Sequence, residues 1–64
     1  MTPDEIRTFR ERRLRMTLDE LASALDVNRH TVWRWEQPAG SPHHRAAPPF
    51  LLRALRDVAR EMKR

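Results

Sequence analysis

Cysteine is absent from this chain, and glycine and lysine each occur once, at Gly40 and Lys63. Without thiols neither a disulfide framework nor a thiolate zinc site can staple the fold. A chain of 64 residues must then hold one small core by tight helix packing or by association. The missing thiols leave the redox compartment open. Long apolar runs are lacking too. Nothing approaches the roughly 20 residues that span a bilayer, and the acidic start at Asp4 and Glu5 leads into no apolar segment of a signal peptide. These absences predict a single domain over residues 1–64, cytoplasmic, with no membrane partner.

Catalytic groupings are equally scarce. No serine or cysteine nucleophile stands with an ordered histidine and acid, no carboxylates pair for acid–base work, and so short a chain has little with which to exclude water from a pocket. His43 and His44 are adjacent and lack a cysteine or a well-spaced carboxylate, which is poor metal-ligand spacing. The expectation is a protein without catalysis, metal or cofactor.

What is present is arginine. Thirteen Lys plus Arg against nine Asp plus Glu give a formal charge of +4, and every basic residue except Lys63 is arginine. Such a balance permits a polyanion partner. Arginine is also a strong helix former, and genome base composition can enrich it without any functional reason, so the positions of the arginines must decide.

Periodicity and caps predict four helices, at about residues 3–13, 18–25, 29–36 and 49–62. Thr2, Pro3, Asp4 and Glu5 suit a helix start, with Ile6, Phe9 and the stem of Arg13 on one face. Thr17 and Glu20 form a capping box, and Met16 can staple against Leu21. Leu18, Leu21, Ala22 and Leu25 then supply apolar groups at helical spacing, and Asp26 tolerates the left-handed geometry that ends the segment. Asn28 caps the third helix, whose core face is Val32 and Trp35 with Val27 on the same side. Pro38 and Gly40 stop it. The stretch from Pro38 to Pro49 reads as a surface loop. In the last helix Leu51, Leu55, Val58 and Met62 repeat at four, three and four, a stripe wide enough to leave a remainder for a second subunit, so these residues are candidates for dimerisation.

Two short capped helices joined only by Asp26 and Val27 form the arrangement a major-groove reader needs. Arg29 and Arg34 can donate bidentate bonds to guanine, while Asn28, the first amides of the third helix and Thr31 can hold phosphates. His30 can donate or accept according to tautomer. Trp33 lies away from the core face and is a candidate for DNA or dimer contact. Arg15, with Thr17 beside it, is placed to reach a flanking phosphate. Most other arginines of the first helix read as a solvated face, Asn28 as a cap first, and Trp35 as core.

The ordered set Glu20, Leu21, Ala22, Val27, Asn28, Thr31, Val32, Trp35, Glu36, within the run TLDELASALDVNRHTVWRWE from Thr17, resembles the Cro/C1-type, or XRE-like, helix-turn-helix family. That family includes prokaryotic and phage repressors and helix-turn-helix antitoxins. Ile6, Arg7, Phe9, Arg10 and Glu11 extend the likeness into the first helix. The resemblance implies an all-α, compact four-helix domain, lambda-repressor-like but short at its C-terminal end, that binds double-stranded DNA. It implies phosphate contacts at Asn28 and Gln37, base contacts at Arg29, His30 and Arg34, and Trp33 near backbone or bases. It also implies a close helix crossing at Ala22 and a pair between Glu36 and Arg10. This chain departs from the pattern at Leu18, where the family carries a phosphate-clamping Gln, and at Asp26, where it carries Gly. Its Leu14–Met16 turn is one residue longer and lacks Gly.

The leading expectation is a sequence-specific transcriptional regulator, a repressor or autoregulator, binding a pseudo-palindromic operator as a homodimer. The alternative is a protein-interaction module or antitoxin whose last helix binds a partner protein. Salt dependence separates the two, because counterion release makes DNA binding fall steeply with salt and an apolar interface does not.

Overall fold

The computed structural model describes residues 1–62 and is an all-helical domain of four helical segments. The first is α1 (Pro3–Thr8), which continues directly into a π-helical stretch (Phe9–Leu14). It is followed by α2 (Leu18–Leu25), α3 (Arg29–Trp35) and α4 (Leu51–Met62). No helix among the described residues is long and apolar enough to cross a membrane.

Local chemistry sets these boundaries. Thr2 and Glu5 exchange side-chain and backbone hydrogen bonds across the start of α1, and those bonds hold the Glu5 carboxyl below its ordinary value of 4.5. Thr17 and Glu20 repeat the device at α2. Asp26 closes α2 in the left-handed region at φ 57°. Its amide donates to the Ser23 carbonyl and the Val27 amide to that of Ala22, the paired bonds of a Schellman ending. Asn28 caps α3 by accepting from the His30 amide at 2.8 Å.

The first helix departs from the sequence expectation. Alpha periodicity groups Arg13 with Ile6 and Phe9 and leaves Leu14 in the turn. In the π stretch each hydrogen bond closes over five residues instead of four, so the side chain that returns to the core comes one position later. Leu14 is accordingly 1% exposed and Arg13 is at the surface. The residue that makes this turn long is absorbed by the helix, and Arg15 then reverses the chain at φ 54°.

The core consists of Ile6, Leu14, Leu21, Ala22, Val32, Trp35, Leu51, Leu55 and Val58, with Phe9 and Leu25 only partly buried against it. α2 and α3 pack closely on each other, and α4 packs on the π stretch and on α2. Two further expectations are corrected. Val27 stands at the rim of the turn, 36% exposed, because the Schellman ending draws its backbone toward α2 while its side chain faces out. Leu51, Leu55 and Val58 are inside this chain's own core, so these three are not left over for a second subunit. Of that stripe only Met62 is at the surface, at 50%. α4 itself starts two residues later than Pro49, because the Leu51 amide first closes a tight turn onto the Pro48 carbonyl.

Leu14→Ala empties a fully buried site and should cost about 2–5 kcal/mol, whereas exposed Leu52→Ala should cost well under about 1 kcal/mol. Urea unfolding followed by circular dichroism measures the difference, and equal losses would contradict the π-helical register.

Candidate nucleic-acid interface

α3 has two unlike sides. Val32, Trp35 and the cap residue Glu36 are buried, while Asn28, Arg29 and His30 are exposed and Thr31, Trp33, Arg34 and Gln37 are half-buried. Ion pairing fixes how this helix is held. Arg10 donates from Nε to Glu36 Oε2 at 2.7 Å and from Nη2 to Oε1 at 2.9 Å, and its Nη1 donates to the Met16 carbonyl at 3.0 Å. Arg7 lies 3.6 Å from the same carboxylate. The Glu36 side chain is 2% exposed, and its fork-to-fork bonds hold the Arg10 guanidinium above its ordinary value. The C-terminal end of α3, the first helix and the turn before α2 are thereby fastened at one point.

Asn28, Arg29, His30 and Trp33 together line a shallow hollow on the open side of α3. The Asn28 cap uses Oδ1, because the His30 amide is a donor, and its Nδ2 hydrogens remain able to donate elsewhere. The amides at the start of α3 are less available than the sequence suggests. That of His30 is taken by Asn28 Oδ1, and that of Thr31 by the Asn28 carbonyl at 3.0 Å. Arg29 reaches back to Asp19 on α2 at 3.5 Å with both side chains mostly exposed, a pair of small worth that a stronger anion can displace.

The other end of the helix differs from the expectation of freely projecting side chains. Gln37 Nε2 donates to the Trp33 carbonyl at 3.3 Å and is folded onto the helix end. The amide of Arg45, from the proline-rich loop, donates to the Arg34 carbonyl at 3.2 Å. Arg34 Nε is buried with no hydrogen-bond partner, a state that costs about 1–3 kcal/mol. Trp33 is stacked on His30, with ring centroids 5.2 Å apart, and meets His43 of the loop at 5.6 Å with the rings tilted by 52°.

Sequence reasoning therefore missed Asp19, His43 and Arg45. The loop is a chain of tight turns, with the Ser41 amide on the Pro38 carbonyl and the His44 amide on the Ser41 carbonyl, and these turns carry His43 back over α3. No helical or strand periodicity could have signalled that placement. Thr17 is occupied as the α2 cap, and Arg15 is exposed on the left-handed turn before it. Between them, the Met16 carbonyl accepts from Arg10, the guanidinium that also pairs with Glu36 at the end of α3. His43 and His44 belong to no group of three or more potential metal ligands among the described residues. Comparison with protein-family models, with curated proteins and with solved structures yields no match to this chain.

His43→Ala should uncover one face of Trp33. In proton–nitrogen spectra the Trp33 indole N–H should shift and exchange faster while that of buried Trp35 stays in place. A shift confined to Trp35 would contradict the contact between His43 and Trp33.

Proposed function

We propose that this chain is a sequence-specific DNA-binding protein of the helix-turn-helix kind, a transcriptional repressor or autoregulator in which α3 enters the major groove of a duplex. The observation that carries this reading is the division of α3. One side is locked into the core by Val32, Trp35 and Glu36, and the other gathers Asn28, Arg29, His30 and Trp33 into a single open hollow.

The groove is about 12 Å wide and accepts one helix. Arg34 and Arg29 are the candidates for guanine, His30 and Trp33 for base edges or sugar, and Asn28 Nδ2, Thr31 and Arg15 for phosphate. Thr17 and Gln37 already bond within the chain, so a phosphate contact from Gln37 requires its side chain to leave the Trp33 carbonyl. The leucine at position 18 supplies no phosphate clamp, which shifts affinity onto the arginines. Control of transcription follows from occupancy alone. Two copies on a pseudo-palindromic site, with recognition helices about 34 Å apart, assemble on the DNA, because the inner stripe of α4 is used within each copy.

Binding isotherms on a duplex selected from a random pool test this reading. Arg34→Ala should cost about 1–3 kcal/mol and relax selection at one base pair. Arg29→Ala should behave likewise if it reads a base. If it meets phosphate, it should weaken all sequences alike and lower the salt slope by about one. Arg60→Ala on α4 is the control. Equal losses for R34A and R60A would refute base reading by α3.

A further inference from the structure

Away from α3, the first helix and α4 leave a second face open. With Leu51, Leu55 and Val58 in the core, the outer stripe of α4 is Leu52, Arg56, Ala59 and Arg60, at spacings of four, three and one. Phe9 and Arg13 of the π stretch form the opposite wall, and these six residues line one cleft. Leu52 also borders adjoining hollows that run toward Met1 and Thr8 on one side and toward Pro49 and Phe50 on the other. Phe50 is 66% exposed and Leu52 37%. Phe9, Leu52 and Ala59 thus form an apolar centre, and the hollow toward Met1 and Thr8 extends it.

The rim is arginine. The Arg13 guanidinium lies 6.0 Å from the centroid of the Phe9 ring, and Arg60 approaches Asp57 only to 3.9 Å with both side chains largely exposed. Across the cleft and its neighbouring hollows, Arg12, Arg13, Arg53, Arg56 and Arg60 face Asp4, Glu5 and Asp57. The face therefore carries unneutralised positive charge around an apolar centre.

We infer that this cleft docks an acidic amphipathic helix of a partner protein, its apolar residues on Phe9, Leu52 and Ala59 and its carboxylates against Arg13, Arg56 and Arg60. α4 has 12 residues, so at about 1.5 Å per residue it offers a track about 18 Å long, matched by three turns of a second helix. A second copy of this chain fits poorly, because twofold pairing about Leu52 sets the arginine rims against each other with few free carboxylates to offset them. A nucleic-acid backbone would match the rim and leave the Phe9, Leu52 and Phe50 floor uncovered. The inference does not depend on what α3 binds.

The test pans a displayed library of helical peptides of about four turns against the full chain, then measures synthetic winners on folded variants. The expected winners place Asp or Glu beside apolar residues at i, i+4 and i+7. Their affinity should fall about tenfold or more on R56E/R60E and stay unchanged on R29A/R34A. The inference is overturned if no peptide is enriched, or if winners lack acidic enrichment. Loss of affinity on R29A/R34A alone overturns it as well, since the peptides would then be imitating DNA on α3. So does a free chain that sediments as a dimer and becomes a monomer on Leu52→Asp, or a duplex whose affinity depends on Arg56 and Arg60.

Discussion

The bidentate pair between Arg10 and Glu36 is the contact on which the arrangement of this small domain depends. It takes a carboxylate that is almost wholly buried, joins it to the first helix, and through the Met16 carbonyl also holds the turn that launches α2. A buried pair gains little net stability over apolar packing, since desolvation offsets its attraction, yet losing either partner leaves an uncompensated charge at a cost of about 3–5 kcal/mol. Its contribution here is positional. Three elements converge on one planar guanidinium, so the axis of α3 is set relative to the rest of the core, and the open side of α3 is presented in one orientation.

Much of this was legible in the chain because it rests on local chemistry. Thr2, Thr17 and Asn28 are caps because a short polar side chain meets an unpaired amide within three residues. Asp26 adopts the left-handed end because a short polar side chain tolerates it. The pairing of Glu36 with Arg10 was implied by family resemblance and is present in the geometry. The π register of the first helix was not legible, since a widened turn leaves the residue types unchanged and moves only their phase. Leu14 was lost to the turn for that reason. The apolar stripe of α4 is visible in the sequence as a stripe. How much of it the chain uses for itself depends on how the π stretch and α2 pack against it, which no single-helix pattern encodes.

The loop from Pro38 to Pro49 illustrates the same limit from the other side. Its composition forbids a helix or strand, but a sequence of tight turns still has a definite path, and that path returns His43 to Trp33 and the Arg45 amide to the end of α3. The open side of α3 is therefore a helix with a loop leaning on it. Arg29 and Arg34 stand on α3 and Arg53, Arg56 and Arg60 on α4, and the hollow beside Arg29 shares no lining residue with those beside Arg56.

Nuclear magnetic resonance titration of the isotope-labelled chain with a selected duplex tests the central claim most directly, because it reports which face the nucleic acid touches. The account predicts shifts concentrated from Asn28 to Gln37 and around Arg15 and Thr17, fading as salt is raised, with the outer side of α4 silent. Shifts centred on Leu52, Arg56 and Ala59, or a spectrum unmoved at low salt, would contradict it.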